Sequence, residues 1–293
     1  MARTSWPLAG TVIGLLAGCA VSGCAAMPQL PAPERLAASA PPSLPPAPPL
    51  VRSGEEMRWR VRVGPFAAGS MRVSAAALQW LRGRRVAVVR GWFSTSGLAS
   101  LFDDKASEDT TWVDLGTSRP LHYRSTLSGD GGRSSLEARF EPRSVRVVET
   151  RQQGGRRVVH QRVLEDGGAL NLYAALLAIR SWHERGPRAA SLSVWARSRL
   201  WRVALRRGRI ESVETAMGRV RAWRIDGVAW RTRRDGRPDP EARPRRFRVY
   251  LGADRDRLPV LIETDSRLGA VRAEMVDYHR SSRPAMSSAT SSR

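Results

Sequence analysis

Side chains suited to acid–base or metal chemistry are scattered along this sequence. Four histidines are present, each far from the others: His122, His160, His183 and His279. No two of them have the i, i+4 spacing of helical metal ligands, and the HExxH pattern of zinc hydrolases is absent. We therefore expect surface or core-edge histidines, and we predict no metal site.

One acidic cluster could offer oxygen ligands to a cation. Its members are Asp103, Asp104, Glu108 and Asp109. Calcium binds several oxygen ligands, but the cluster lacks the glycine and the ligand spacing of a calcium loop, so we expect it to pair with arginines. A Gly-x-Ser-x-Gly nucleophile turn and a glycine-rich phosphate loop are also absent. The sequence therefore predicts a non-enzymatic protein with no catalytic residue and no cofactor.

The two cysteines are the residues whose surroundings do indicate a reaction. Cys19 and Cys24 follow the apolar stretch 8–17, and the only charge before that stretch is Arg3. A basic start, an apolar stretch and small residues before a cleavage site are typical of an export signal. The stretch is too short for the roughly 20 apolar residues of a membrane-spanning helix. No cysteine follows Cys24, so the rest of the chain is predicted to hold no disulfide and no thiolate metal site.

The residues before the first cysteine refine this prediction. Leu16-Ala17-Gly18-Cys19 resembles the lipobox of bacterial lipoproteins, in which the cysteine sulfur is acylated and the cysteine becomes the mature N-terminus. The resemblance implies a lipoprotein signal peptide over residues 1–18 and a lipid anchor on Cys19. The protein is then attached to a membrane in the cell envelope by its N-terminal lipid.

A second lipobox-like stretch leaves the acylated residue open. Val21-Ser22-Gly23-Cys24 also fits the pattern, so Cys24 is the alternative lipidation site. The residue after either cysteine is alanine (Ala20 or Ala25), not the aspartate that typically retains lipoproteins at the inner membrane. This difference favours the outer membrane, with the protein facing the periplasm.

The chain is strongly basic, with a formal net charge of +22 and an isoelectric point near 11.6. Lys105 is the only lysine, and the arginines are spread along the whole chain, as codon bias in a GC-rich genome produces. An exported protein seldom meets nucleic acid, so we predict no nucleic-acid partner. We expect a diffuse basic surface that is attracted to anionic lipid headgroups or lipopolysaccharide. Neutralising one arginine, such as Arg60, should then have little effect.

Composition divides the chain after the signal into three parts. Residues 19–53 form a Pro/Ala-rich tether, whose proline pairs favour extended polyproline II structure. Residues 54–280 are long enough for one core and are predicted to form a single, mostly β domain. Residues 281–293 are Ser-rich and are predicted to be a disordered tail.

Short segments typical of β-strands fill the domain. In Arg58–Val63, residues Trp59, Val61 and Val63 alternate with arginines, which indicates a half-buried antiparallel strand. Turn signals such as Arg207-Gly208 separate the segments. The predicted strands are Arg58–Val63, Ser70–Ala77, Arg84–Phe93, Ala106–Asp114, Leu121–Leu127, Ser134–Phe140, Ser144–Thr150, Arg156–Val163, Leu192–Ala196, Leu200–Arg206, Arg219–Trp230, Arg246–Leu251, Val260–Thr264 and Val271–Tyr278.

One segment differs from this pattern. Residues 169–184 contain no internal glycine or proline and are apolar over much of the helical circumference, which predicts a buried helix that begins near Asp166. Leu172, Leu176 and Ile179 lie on one face of it. The predicted fold is therefore mainly β: an antiparallel open barrel or strongly curved sheet with one buried α-helix at about 169–184.

Several motifs occur in a recognisable order. They are Gly54-Glu55-Glu56-Met57-Arg58-Trp59-Arg60-Val61, Ala68-Gly69-Ser70-Met71, Arg119-Pro120-Leu121-His122-Tyr123, Asp166 with Leu172-Tyr173-Ala174 and Ile179-Arg180, Leu251-Gly252-Ala253-Asp254-Arg255-Asp256-Arg257-Leu258-Pro259-Val260, and Gly269-Ala270-Val271-Arg272-Ala273-Glu274-Met275. Over residues 54–278 this order resembles the bacterial envelope family known only as domain of unknown function 3108 (DUF3108). The resemblance implies an exported, mostly β domain shaped as an open barrel, and it implies no reaction. We expect these motifs to be structural.

The tryptophans bear on what the domain binds. Nine follow the signal region: Trp59, Trp80, Trp92, Trp112, Trp182, Trp195, Trp201, Trp223 and Trp230. We expect them to fill the core; alternatively, some line a cavity for an acyl chain. The sequence thus predicts a non-enzymatic, lipid-anchored envelope protein that binds a lipid or other apolar envelope component, or that scaffolds envelope assembly. The alternatives are a protein-docking adaptor at the outer membrane and a hydrolase with an unrecognised site.

Overall fold

An antiparallel meander makes up most of the described chain. The computed structural model describes residues 41–97, 105–129, 132–153, 156–182, 186–196, 199–233, 237–266 and 269–281. The predicted lipidation sites Cys19 and Cys24, the signal peptide and the tail after residue 281 lie outside these ranges. No helix in the described ranges combines the length and the apolar character that crossing a membrane requires.

Fifteen strands are present in the described residues. The first eight are β1 (Glu55–Val63), β2 (Phe66–Leu81), β3 (Arg84–Thr95), β4 (Lys105–Asp114), β5 (Pro120–Gly129), β6 (Gly132–Phe140), β7 (Val145–Gln153) and β8 (Arg156–Leu164). The others are β9 (Leu170–Asn171), β10 (Ala189–Ala196), β11 (Arg199–Thr215), β12 (Gly218–Arg231), β13 (Arg245–Gly252), β14 (Pro259–Ser266) and β15 (Gly269–Arg280). All fourteen predicted strands are confirmed, and the two-residue β9 is an addition.

The strands form one sheet whose first and last strands lie at its centre. Its order is β8-β7-β6-β5-β4-β3-β2-β1-β15-β14-β13-β12-β11-β10-β9. β1 pairs antiparallel with β15, so the two ends of the domain are hydrogen-bonded to each other. The sheet is not closed into a barrel, because β8 and β9 remain as its two edges. This arrangement confirms the predicted antiparallel, strongly curved sheet.

The alternation in β1 shows why the strands form here. Met57, Trp59 and Val61 are at most 2% exposed, whereas Arg58 and Arg60 between them are on the opposite face and reach solvent. Successive side chains of a strand point to opposite faces, so the pattern fixes which face of β1 meets the core. The indole Nε1 of Trp59 donates a hydrogen bond to the Pro259 carbonyl oxygen at 2.8 Å, which satisfies the polar atom of this buried ring.

One predicted turn is wrong. Arg207-Gly208 does not end a strand, because β11 continues to Thr215 and its pairing with β12 only shifts register between Arg207 and Ile210. The observed reversal follows Thr215 instead. A glycine within a strand is also typical of a bulge, and the sequence signal alone does not separate the two.

The single helix of the described residues is α1 (Leu172–Arg180), which is shorter than predicted. It does not begin near Asp166. Its N-cap is Asn171, whose side-chain oxygen accepts a hydrogen bond from the Ala174 backbone N–H at 2.9 Å. Asp166 lies in the turn before the helix. Its side chain accepts hydrogen bonds from the Gly168 N–H and from Ser193 Oγ of β10. Residues 183 and 184 lie outside the described ranges.

The helix lies within the curved sheet and shares one large apolar cluster with it. Its buried residues are Tyr173, Ala174, Ala175, Leu177, Ile179 and Arg180. Leu172 and Leu176 are only half-buried, so the predicted apolar face is rotated. Trp195 of β10 packs edge-on against Tyr123 and Phe140, at centroid distances of 5.4 and 5.7 Å, and so joins the two halves of the sheet.

The last part of the predicted tether contacts the domain. The Leu44 N–H donates to the Ser191 carbonyl oxygen at 2.9 Å, and Ser118 Oγ donates to the Ala47 carbonyl oxygen at 2.6 Å. Leu44 and Val51 also pack against the apolar cluster. Because an extended proline-rich segment leaves its carbonyl groups free to accept, it can be bound by hydroxyl and amide donors of the domain.

Candidate functional site

The C-terminal end of α1 is held by a buried ion pair. The guanidinium of Arg180 lies 2.9 and 3.2 Å from the two carboxylate oxygens of Glu55 in β1, and both side chains are at most 1% exposed. Arg180 also donates to the Asp256 carbonyl oxygen at 3.1 Å. Since charges this deeply buried must be paired and hydrogen-bonded, we assign these groups to anchoring the helix.

The N-terminal end of α1 is held by a buried carboxylate. Asp109 of β4 accepts hydrogen bonds from the hydroxyls of Tyr173 at 2.6 Å and Tyr123 at 2.8 Å. Burial, together with the charge of Asp109, raises the pKa of Tyr173 well above its usual value, so its hydroxyl stays a donor. Gly91 permits this contact, because a Cβ there would lie 2.0 Å from the Tyr173 hydroxyl.

Residues of the family-like motifs thus meet around the helix. Glu55, Tyr173, Arg180 and Asp256 come from three of those motifs and all belong to the two anchors. Arg180 donates to Glu55 and to the Asp256 carbonyl oxygen, and Tyr173 donates to the buried Asp109. This arrangement supports the structural role expected for the motifs.

The described members of the acidic cluster lie on opposite faces of β4. Asp109 is buried and accepts hydrogen bonds from two tyrosine hydroxyls, a role that the sequence did not predict. Glu108 alternates with it and lies on the opposite face of β4. Asp103 and Asp104 lie outside the described residues. Across the ranges that the structure describes, no group of His, Cys, Asp and Glu side chains could hold a metal ion.

The histidines are separate in the structure. His122 of β5 lies 2.9 Å from the Glu137 carboxylate and stacks on Trp112 at a centroid distance of 4.9 Å. His160 is exposed on β8, and His279 of β15 lies 3.6 Å from an Asp277 oxygen. His183 lies outside the described residues.

The candidate binding site is an open groove of about 980 Å³ on the outer face of β1 to β6. Strand register places its side chains in two rows, each contributed by successive strands. One row is Arg58, Arg72, Trp92, Glu108 and Thr126, and the other is Arg60, Ser70, Ser94, Ala106, Ser128 and Arg133. We call this surface the arginine groove. The core-facing side chains of the same strands lie on the other side of the sheet.

An aromatic ring and arginines dominate the arginine groove. The guanidinium of Arg72 lies 3.9 Å from the centroid of the Trp92 ring, within the range of a cation–π contact. Arg58 forms an ion pair with Glu56 at 2.8 Å. Arg60 and Arg133 form no ion pair with any described residue, and Glu108 is the one carboxylate among the lining residues. The groove therefore carries an excess of positive charge.

Hydroxyl groups line the floor of the arginine groove. Ser70 Oγ and Ser94 Oγ are 3.2 Å apart, and Thr126 and Ser128 lie on β5, on the other side of β4. Arginine forks and serine hydroxyls together suit a phosphate or carboxylate attached to a hydroxylated or apolar group. The sequence analysis missed this site, because its residues come from separate strands and only the register aligns them.

The tryptophans divide between the core and the surface. Trp59, Trp182, Trp195 and Trp230 are buried, as expected for a core role, whereas Trp80 is 72% exposed and Trp92 lines the arginine groove. The interior of the sheet is occupied by α1 and the apolar cluster. Two tryptophans line the arginine groove: Trp59, which is buried in the core, and Trp92, which lies on the outer face.

A second cavity, of about 830 Å³, lies beside the end of the tether. Residues 43–47 line it together with Asp166, Ser193 and Arg202. Asp166 and Ser193 are hydrogen-bonded to each other across it. Since the chain's own proline-rich segment forms one of its walls, this cavity depends on where that segment lies.

Comparison with solved structures supports the fold. A β-barrel-like protein of the domain of unknown function DUF1849 from Brucella abortus superposes with a TM-score of 0.51 at 12% identity, over 82% of this chain and 100% of that one. A candidate lipoprotein from Parabacteroides distasonis gives a TM-score of 0.35 at 9% identity, over 80% of this chain and 99% of that one. The first likeness shows a shared fold, and neither description names a catalytic activity.

Sequence comparison identifies the family. No curated protein matches the chain. The sequence profile described as a protein of unknown function (DUF3108) matches residues 56–276, which include nearly the whole sheet and α1. The chain therefore belongs to the DUF3108 family.

Proposed function

We propose that this protein is a non-enzymatic lipoprotein of the cell envelope that binds an anionic lipid headgroup in the arginine groove. The observation that carries the proposal is that Arg58, Arg60, Arg72 and Arg133 line one groove, in which Arg72 lies over the ring of Trp92. Attachment through Cys19, with Cys24 as the alternative, holds the domain near a membrane at the outer-membrane side of the periplasm.

The proposal differs from the diffuse basic surface predicted from the sequence. A diffuse surface attracts anions through its whole field, so any exposed arginine contributes equally. In the arginine groove, the guanidinium of Arg72 is oriented by Trp92, and hydroxyls of Ser70 and Ser94 lie beside it. Oriented donors of this kind bind phosphate with directional hydrogen bonds as well as charge.

The position of the groove also determines which part of a lipid it can bind. The interior of the sheet is filled, and the groove is open along the outer face of β1 to β6. Trp92 and Val276 add apolar atoms to its lining. Such a surface suits a headgroup and the first part of an acyl chain rather than a fully enclosed lipid.

The test measures binding of a water-soluble, short-chain phosphatidylglycerol by calorimetry, with short-chain phosphatidylcholine as the neutral comparison. The full chain carries Cys19→Ser and Cys24→Ser, so that no acyl anchor competes. We expect Arg60→Gln/Arg133→Gln to weaken phosphatidylglycerol binding strongly. The matched control Arg85→Gln/Arg221→Gln removes the same charge from exposed arginines outside the groove. Equal weakening by the two pairs would contradict the groove and support the diffuse surface.

Anchoring has its own test in cells. With Cys19 acylated, Cys19→Ser abolishes acyl labelling and releases the protein from the membrane fraction or leaves it unprocessed. If Cys24→Ser has this effect and Cys19→Ser does not, the anchor is on Cys24. Acyl labelling that survives both single changes and the double change shows that the chain is not a lipoprotein of this type.

A further inference from the structure

The two edges of the sheet differ in what covers them. At one edge, the chain's own proline-rich segment adds to β10: Ser43 forms a parallel bridge with Ser191, and the Ser191 N–H donates to the Pro42 carbonyl oxygen at 2.9 Å. The short β9 pairs parallel with the other end of β10. The molecule thus already covers one edge by adding an extended segment.

The other edge of the sheet is β8. β8 pairs with β7 alone within the described residues, and Arg156 to Val163 are exposed without interruption. Its valines are prominent: Val158 is 44%, Val159 48% and Val163 59% exposed. An edge strand presents a row of unpaired backbone groups that can bind another strand, and this one is nine residues long.

The charge of β8 determines which kind of strand can pair with it. β8 carries Arg156, Arg157 and Arg162 and no acidic residue. Pairing with β8 of a second copy would combine two arginine-rich strands with no carboxylate between them, and like charges across a strand pair are destabilising. The arginines therefore oppose self-association and leave an acidic strand as the complementary one.

Positive charge is also present on the core-facing side of β8. Arg162 is paired in register with the buried Val147 of β7, so the two share a face. Burial lowers the pKa of Arg199 in β11, and the positive charges of Arg231 and Arg162 lower it further, while Asp239 opposes them. The charge of Arg162 thus acts on Arg199, so a carboxylate beside Arg162 would lie in a positive field on this face of β8.

We propose that the β8 edge binds an extended, acidic segment of a partner protein as an added strand. Backbone hydrogen bonds to β8 supply affinity, and the alternating side chains supply specificity, as in other cases of strand addition. Acidic side chains of the segment pair with Arg156 and Arg162 on one face of β8, and its apolar side chains pack on Val159 and Val163 on the other face. This is a protein-binding function separate from the arginine groove.

The test uses the full chain and a labelled peptide of alternating valine and glutamate. Fluorescence anisotropy measures binding, and amide hydrogen exchange locates it. We expect the backbone amides of β8 to become protected, while those of β12 keep their exchange rates. Arg156→Glu/Arg162→Glu should weaken binding about tenfold, because two ion pairs on the same face of β8 are replaced by repulsive ones.

Controls separate strand addition from attraction to any basic surface. Arg85→Glu/Arg221→Glu changes the net charge by the same amount at exposed positions on other strands and should weaken binding far less. Arg60→Gln/Arg133→Gln should leave peptide binding intact, since it affects the groove alone. Binding without protection of β8, equal binding of a valine–lysine peptide, or equal weakening by the control pair overturns the proposal.

Discussion

Glu55 and Arg180, which are 125 residues apart in the chain, form a bidentate ion pair inside the molecule. Glu55 is the first residue of β1, and β1 pairs with the last strand, β15. Arg180 is the last residue of α1 and also binds the Asp256 carbonyl oxygen before β14. The pair therefore joins the helix to the centre of the sheet, where its first and last strands pair.

Removal of one charge of this pair should be strongly destabilising. In Glu55→Gln, the guanidinium of Arg180 stays buried without its counter-charge, and we expect a loss of about 3–5 kcal/mol in the free energy of unfolding. Urea denaturation measures it. Glu56→Gln is the matched control, because its partner Arg58 is 49% exposed and such pairs contribute about 0–1 kcal/mol.

The double variant Glu55→Leu/Arg180→Leu is a second test of the same ion pair. It removes both charges and leaves apolar groups, which often costs less than leaving one buried charge. We expect a smaller loss than the sum of the two single leucine variants. Strict additivity would show that the two side chains do not interact in solution.

The tyrosine anchor at the other end of α1 gives a second prediction. Tyr173→Phe removes one of the two hydroxyl donors to buried Asp109, and an under-satisfied buried acceptor costs about 1–3 kcal/mol. Thermal and urea denaturation should both show the loss. Tyr250→Phe is the control, since Tyr250 is also a largely buried residue but its hydroxyl forms no hydrogen bond with any described residue. Equal losses in the two variants would contradict a specific role for the Asp109 contact.

The apolar face of α1 gives a third prediction. Leu177 is 4% exposed within the main cluster, so Leu177→Ala should lower the free energy of unfolding by about 2–5 kcal/mol. Leu176 is half-buried and serves as the neighbouring control, with a smaller expected loss. Denaturation midpoints of the two variants distinguish them. A larger effect of Leu176→Ala would mean that the helix face is the one predicted from the sequence.

The sheet could be predicted from the sequence because alternation is a local signal. In β1, each arginine faces solvent and each apolar residue faces the core, so adjacent residues alone identify the strand. Local signals are ambiguous for the helix start. Asp166 and Asn171 are both good N-cap residues, and the contact of Asn171 with Thr111, 60 residues earlier, is absent from any local pattern.

The sites depend on contacts between distant residues. The arginine groove needs Arg58, Arg72 and Trp92 to align across three strands, and a shift of one residue in register would place them on the other face. Glu55 and Arg180 meet only because the sheet curves around α1. The residue types of these sites can be read from the sequence, but their spatial arrangement depends on the fold.

The last prediction concerns pH and rests on His122. Burial lowers the pKa of His122 below that of a free histidine, and the nearby charges of Arg124 and Arg139 act in the same direction, although the hydrogen bond to Glu137 opposes them. The unfolded chain then binds a proton more readily than the folded one. The stability from neutral His122 is therefore present above about pH 6.5 and is lost as the pH falls through the lowered pKa.

We therefore expect the free energy of unfolding to decrease between about pH 7 and pH 5 in the wild type, and less so in His122→Gln. Glutamine can still donate a hydrogen bond to Glu137, so the variant removes the titration while the contact is retained. Urea denaturation at a series of pH values measures the slope, and His160→Gln, at an exposed histidine on β8, should keep the wild-type slope. A slope that is unchanged in His122→Gln, or a wild type that gains stability as the pH falls, would show that the attraction of Glu137 outweighs burial.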